Sequence, residues 1–496
     1  MDPSRQVVII GGGITGLAAA HRLRELDPRV QVTLIEASSR LGGVVDTQHV
    51  DGFIVERGPD NFITNVPMAL DLCRALGMEG ELIGTNEQYR RAFVVRRGRL
   101  LRVPDGFTLM SPRRLMPMLT TPILSPWGKL RMLLEFFIPP SKSEEDESVA
   151  EFARRRFGGE VFRRLIEPLV AGIYTADAEE LSVQAALPQF VQMEREHDGL
   201  LRAAWTAWKK AKEAQAKAKA AAEAAGSASP NEASSAPSAP GDGESGARYS
   251  LFVTLRQGMS QLVEALAHGL PPGAVRLNTR VERIVKHSVG GWALWLAGES
   301  QPLMIKRLIV ATPAYRTAKF IADLDPPLAD ELKEIPYAGS AVVNLGYRRD
   351  QVAHALDGFG FVVPAIERRP ILACSFSSVK YEGRAPEGYV LLRVFLGGAL
   401  HPGLADRPEA ELLRIARDEL AQLLGVRGES VFYDVARWPR SMPQYHVGHL
   451  ARVSQIERFV QRHRGLELAG SYLRGVGIPQ CIYAGTRAAE KVMTTV

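Results

Sequence analysis

The 496-residue sequence holds only three cysteines, Cys73, Cys374 and Cys481, and no CxxC spacing. That excludes a disulfide framework and a zinc site and leaves the thiols as small buried hydrophobes. No run approaches the roughly 18 uninterrupted apolar residues that span a bilayer. The start MDPSRQVVII passes straight into a strand without a charged leader and cleavage site, so the expected place of residence is the cytoplasm. GxSxG, HExxH and Walker-lysine patterns are missing, and the histidines do not cluster. A formal charge of +6 is modest for this length. With no zinc finger and no basic patch interleaved with aromatics, nucleic acid is not an expected partner.

What is present suffices for two or three globular domains, 46% of the residues being hydrophobic. Gln6 to Ile10 (QVVII) is a short β-branched run that ends in three glycines, the pattern of a buried strand and a tight turn. Leu17, Ala20 and Leu23 then recur at helical spacing until Asp27-Pro28, and Val30 to Glu36 forms a second strand. The result is a βαβ unit. Ser111 to Pro140 is punctuated by proline and mixes Leu, Met, Phe and Trp with Arg113, Arg114, Lys129 and Arg131. Its short amphipathic helices need an apolar partner, and two stay open: a lipid surface or the rest of the protein. Lys209 to Ala247 is low complexity and is expected to extend a helix into disorder. Between Ala341 and Gly398 several alternating stretches predict a sheet with one covered face and one available face. A closing helix is expected at about Tyr483 to Met493.

The chemistry sits at the first turn. Gly11 permits the turn, Gly13 lets the backbone approach a pyrophosphate, and Gly16 lets helix and strand pack closely. The helix N-terminus adds unpaired amides and a positive dipole end. Glu36, twenty residues beyond Gly16, ends the second strand where a carboxylate accepts a ribose hydroxyl. Arg40, Gly42 and Gly43 lie along the path of a dinucleotide and favour FAD over NAD, with Arg40 adding positive charge. Gly58 stands where the chain passes close to a flat ring. Gly475, Val476 and Gly477 precede a helix and are expected to meet the ribityl and flavin portion. Val281, at the start of VERIVK, is counted with the cofactor-binding residues. The lack of a catalytic side chain fits a flavoenzyme, where the protein supplies position and electrostatics. His446 and His449 fit structural roles better than the role of a base.

The blocks GGGITGLAAAHRL, EASSRLGG, DGFIVERGPDNF, LIEPLVAGIYTAD, RAPEG, WPRSMPQYHVGHL and YLRGVGIPQCIYAG resemble the oxygen-dependent protoporphyrinogen/coproporphyrinogen III oxidases of haem synthesis. The resemblance covers nearly the whole chain outside the low-complexity insert. It implies an α/β fold: a Rossmann-like FAD-binding domain, a mixed-sheet substrate domain and a helical membrane-facing subdomain. The corresponding division is 1–85 plus 249–308 plus 437–496, then 86–104 plus 309–436, then 105–208, with the insert at 209–248.

The resemblance also implies a six-electron oxidation of a porphyrinogen, with O2 giving H2O2. Coproporphyrinogen III is slightly favoured by the GPDNF block and the basic run Arg96, Arg97, Arg99 and Arg102, with protoporphyrinogen IX as the alternative. More distant alternatives are an FAD amine oxidase and a non-catalytic flavin-binding scaffold. Arg91 aligns with a propionate-binding arginine and Gly172 with a glycine whose carbonyl faces the pyrroles. Leu356 and Phe376 fall where the ring is sandwiched. Implied partners are a tetrapyrrole, O2, a ferrochelatase receiving the product and the inner face of a membrane, for a monomer or homodimer. The chain departs from the pattern at Ser471 and at Gln480, where many relatives carry Asp.

Overall fold

The computed structural model describes residues 6–112, 114–224, 252–287 and 290–494. Five parallel strands form one sheet in the order Val275–Arg276, Gln31–Ile35, Gln6–Ile10, Arg307–Val310, Leu466–Leu468. Parallel neighbours need crossovers, and the helix Ile14–Leu26 makes the first. Val7 and Ile9 enter one apolar core with Leu17, Ala20 and Leu23 of that helix, while Val8 and Ile10 enter another with Trp292, Leu294 and Leu328. Burial on both faces explains why this strand is continuously apolar.

The second sheet has seven strands in the order Phe432–Pro443, Tyr337–Arg348, Tyr389–Gly397, Ile371–Phe376, Gly360–Val362, Phe93–Arg96, Arg99–Arg102. Its neighbours are antiparallel except Gly360–Val362 against Phe93–Arg96. The helix Glu409–Leu424 covers one face, setting Leu412, Ala416 and Leu420 on Val343, Val394 and Leu392. The opposite face meets, through Val94 and Val362, a helical region built around Phe107, Phe152, Phe157 and Leu165. Inside that region Arg156 and Glu135 are both fully enclosed, and Glu135 also accepts the amides of Leu200 and Leu201 at 2.8 and 3.1 Å. Removing either partner would strand a buried charge.

The closing helix and two of the expected boundaries fall differently. The closing helix runs Ile478–Thr494, five residues earlier than its apolar pattern suggests, because Pro479 fits the first turn of a helix. The boundaries at 308/309 and 436/437 both cut strands: Ile309 and Val310 pair within the first sheet, and Arg437 to Pro443 within the second. Of the low-complexity segment, 209–224 continues the helix Leu200–Ala224, and the remainder lies outside the described residues, as does Arg113. None of the described helices is long and apolar enough to cross a membrane.

Candidate cofactor and substrate site

Each glycine of the first turn has its own physical reason. Gly11 has φ +110°, and a Cβ there would lie 2.5 Å from the Ala311 carbonyl oxygen. At Gly16 a Cβ would sit 2.0 Å from the Gly11 carbonyl oxygen, so only glycine lets helix and strand approach. Gly13 meets nothing within 4 Å: its Cβ position is open space in front of a helix end that no side chain caps. That is the donor arrangement a pyrophosphate needs.

Glu36 is oriented before any ligand arrives. One carboxylate oxygen accepts the Gly12 amide at 2.7 Å and the other the Ser38 amide at 2.8 Å, which leaves lone pairs for a sugar hydroxyl. The glycine loop 42–43 lies directly beside the turn, with the Gly42 amide donating to the Gly12 carbonyl at 2.8 Å. Asn278 and Thr279 donate their amides to Ser38 and Glu36, bringing Val281 to the same end of the sheet. The Val281 side chain is buried, so only its main chain can face a ligand.

Arg40 behaves otherwise than expected. Its guanidinium donates to the carbonyls of Leu41, Gly43 and Val45 at 3.1, 2.6 and 3.1 Å and lies 3.5 Å from Asp46. It braces its own loop instead of standing as a free cation. Gly58 is also explained by packing, since a Cβ there would be 1.7 Å from the Val44 carbonyl oxygen.

The segment around Gly58 is laid on the uncovered face of the seven-stranded sheet. Arg393 donates to the Gly58 carbonyl, Asn344 to the Glu56 carbonyl at 3.5 Å, and Trp438 Nε1 to the Arg57 carbonyl at 2.6 Å. Arg57 then joins Asp46 at 2.9 Å to Asp434 at 3.2 Å. Asp434, Asn344 and Arg393 form one row across the sheet. The next row on that face is Ala436, Val342, Phe395, Ala373, Val362 and Val94.

Gly172 stands over this second row. It is exposed, and a Cβ there would come within 3.3 Å of Val362 Cγ1. Ile173 beside it is 44% exposed, and Phe395 and Val362 are only partly covered. Leu356 and Phe376, expected as ring walls, lie instead in the helix-covered core at 2% and 0% exposure. Side chains alternate across a sheet, and a bulge between Ile371 and Ala373 sets Phe376 on the covered face. Phe395 was missed, although the alternation Leu391, Arg393, Phe395 marks a face that carries an arginine inside an apolar strand. Arg91 sits at the start of the edge hairpin, 40% exposed and 3.7 Å from Asp357, which also takes Arg102 at 2.6 Å.

The C-terminal glycine turn is anchored from the helical region. Tyr445 donates its hydroxyl proton to the Ser471 carbonyl and accepts the Gly475 amide at 2.7 Å. His449 stacks on Tyr445 at 4.2 Å and bonds the Leu473 carbonyl at 3.1 Å. Burial pushes its pKa down to about 4, so it is a structural, neutral ring. His446 pairs with Glu180 at 3.1 Å. Gln480 folds its side chain against Gly475 and Gly477, and its Oε1 is buried without a hydrogen-bond partner. All three cysteines are free and buried. Among the described residues no cluster of His, Cys, Asp or Glu is arranged to hold a metal ion.

Residues 14–493 match the family described as flavin containing amine oxidoreductase. The chain is 33% identical over 498 residues to a coproporphyrinogen III oxidase of Bacillus subtilis (strain 168), covering 99% of each protein. It is 38% identical over 490 residues to that of Propionibacterium freudenreichii subsp. freudenreichii, covering 98% of this chain and 90% of the other. Its fold superposes with a TM-score of 0.82 on the crystal structure of a putative protoporphyrinogen oxidase from Exiguobacterium sp. 255-15, at 27% identity and 99% coverage of both chains.

Proposed function

From the premise that the chain belongs to the flavin-containing amine oxidoreductases, and within them to the coproporphyrinogen and protoporphyrinogen oxidases of haem biosynthesis, we propose that it oxidises coproporphyrinogen III to coproporphyrin III. It is an FAD-dependent oxidoreductase that acts on a porphyrinogen with O2 as acceptor. FAD, when bound, takes up the electron pairs removed from the macrocycle. The chain's own residues fit that cofactor: the open position at Gly13, the uncapped helix end and the pre-oriented Glu36 would hold its pyrophosphate and ribose. The Gly42–Gly43 loop, the Val281 main chain and the turn Gly475, Val476 and Gly477 complete the cradle. Gly172, Val362 and Phe395 form walls for a broad apolar disc.

The choice of coproporphyrinogen rests on the relatives, and Arg91 and Arg102 mark only an exposed basic end of the edge hairpin. They share the single acid Asp357 and remain 40% and 58% exposed, which leaves one positive charge in excess at that end of the hairpin. The Arg91 carbonyl accepts the Phe359 amide at 2.8 Å, which ties the edge hairpin to the segment leading into Val362, while Arg102, paired with Phe93, projects on the helix-covered face. Both named relatives above 30% identity carry the corresponding activity in their names, which supports the same choice.

Anaerobic titration of the yellow holoprotein with each porphyrinogen tests it. Coproporphyrinogen III should bleach the flavin faster and at lower concentration. Equal slow bleaching by both substrates would overturn the choice, and no bleaching by either would overturn the wider reading. Release of the product to a chelatase and peripheral contact with lipid belong to the same proposal. The lipid contact is supported by Trp127, Leu130, Leu134 and Phe137, one helical stripe with exposures of 78, 49, 46 and 79%.

A further inference from the structure

A second cavity lies away from the glycine turns, at the seam between the seven-stranded sheet and the helical region. Its volume is about 260 Å³. Val94, Val95 and Ile123 supply apolar lining, and Arg96, Arg97 and Arg164, with the single acid Glu367, supply the charged lining. The three guanidiniums come from two parts of the fold, Arg96 and Arg97 from the turn of the edge hairpin and Arg164 from the segment leading into the helix Glu167–Tyr174.

The acids nearby are already committed. Glu160 takes Arg164 as well as the Ser125 amide at 2.7 Å and the Ser125 hydroxyl at 2.6 Å. Glu367 accepts the amides of Arg97 and Gly98 at 2.9 and 3.4 Å. Arg164 spends a further donor on the Ile123 carbonyl at 2.9 Å. Among the described residues no carboxylate pairs with the side chain of Arg96 or Arg97. Burial first, and then the charges of Arg164 and Arg97, hold the Arg96 pKa below its ordinary value. Three guanidiniums thus face two carboxylates, Glu160 and Glu367, and the positive charge in excess is relieved by an anion.

Shape selects the anion. A carboxylate offers two oxygens in one plane and satisfies one guanidinium fork, whereas a tetrahedral phosphate offers acceptors in several directions at once. The cavity also exceeds what the anion alone would fill, and part of its lining is apolar. We infer that the Arg96, Arg97 and Arg164 cavity is a binding site for a phosphate ester, the phosphate on the three arginines and the organic part on Val94, Val95 and Ile123. The ester comes from a soluble metabolite or from a phospholipid headgroup. The second source is within reach because Ser125, bonded to the Glu160 that holds Arg164, caps the helix bearing the exposed Trp127.

The test uses the full-length holoprotein and calorimetric titration with glycerol 1-phosphate, inorganic phosphate and succinate, together with flotation on phosphatidylcholine vesicles with and without phosphatidic acid. Glycerol 1-phosphate should bind more tightly than succinate, and Arg96→Gln with Arg97→Gln should weaken it about tenfold or more, the scale of a lost charge-assisted bond. Arg99→Gln, on the same hairpin but outside the cavity, should change nothing. Flavin content and circular dichroism of the variants separate lost binding from lost fold. Binding of the soluble ester assigns a metabolite, and flotation that needs both phosphatidic acid and Arg96 assigns a lipid; either supports the site. Succinate binding as tightly as phosphate, or equal binding by wild type and the double variant, overturns it.

Discussion

Tyr445 accepts the amide proton of Gly475 at 2.7 Å while it donates its own proton to the carbonyl of Ser471. One hydroxyl, 2% exposed at the residue level and reached from the helical core, thereby fixes both sides of the turn that leads into the last helix. Tyr445→Phe removes both bonds without changing shape. In this half-buried turn an amide and a carbonyl that lose their partner cost up to about 1–3 kcal/mol each, and that cost falls on the proposed flavin-contacting turn. The variant should fold normally and hold FAD about tenfold less tightly, read by flavin fluorescence on dilution. Unchanged retention would show that the turn does not touch the cofactor.

Gly13 and Gly16 should separate binding from folding. Gly16→Ala forces a Cβ to 2.0 Å from a main-chain oxygen and should destabilise the protein by about 1–3 kcal/mol or more, seen as a lower Tm even without cofactor. Gly13 has φ −73° and open space at its Cβ, so Gly13→Ala should leave the apoprotein's Tm nearly untouched. Its effect should appear in FAD affinity alone. A Gly13→Ala protein that binds FAD as well as wild type would falsify the pyrophosphate assignment.

Glu167 gives a pH dependence with a definite sign. Burial raises its pKa from the usual 4.5 to about 7, and only one of its oxygens is satisfied, by the Ala365 amide at 3.1 Å. The folded state therefore holds a proton that the unfolded chain releases. This group's stabilising contribution is complete below about pH 4.5 and is lost as pH rises through 7. Glu167→Gln keeps an acceptor for Ala365 and removes the ionisation. The variant should match wild type at pH 4 and exceed it at pH 8 by on the order of 1–3 kcal/mol, measured by denaturant titration. A difference independent of pH would assign the strain to something other than the proton.

The stripe Trp127, Leu130, Leu134 and Phe137 makes a prediction about lipid. Burying an aromatic side chain contributes roughly 1.5–3 kcal/mol, so Trp127→Gln with Phe137→Gln should reduce co-sedimentation with vesicles at least severalfold. Flavin content should be unaffected because the stripe lies outside the proposed cleft. Equal sedimentation of variant and wild type would leave the stripe without a lipid role.

The cofactor end of the site was legible because its parts are close in sequence. Gly11, Gly13, Gly16 and Glu36 belong to one βαβ unit, and local spacing fixes where each must stand. Arg40 was legible as a position but not as a role, since the carbonyls that occupy it become visible only when the loop closes on Asp46 and Trp438. Phe376 illustrates a different limit. Which face of a strand a residue takes depends on a bulge, and a one-residue shift turns a wall into core. Tyr445 and the three-arginine cavity join segments that no short pattern connects.

Gly485 is pressed on the first helix so closely that a Cβ there would lie 2.1 Å from the Thr15 carbonyl oxygen. The phosphate-facing helix is thus supported from behind by residues translated almost five hundred codons' worth of synthesis later. A nascent chain displays its glycine fingerprint early, yet the support and the fifth strand of that sheet emerge only as the ribosome nears residue 494. The backing of the first helix is therefore complete only once residues 466–485 have been made and have packed against it.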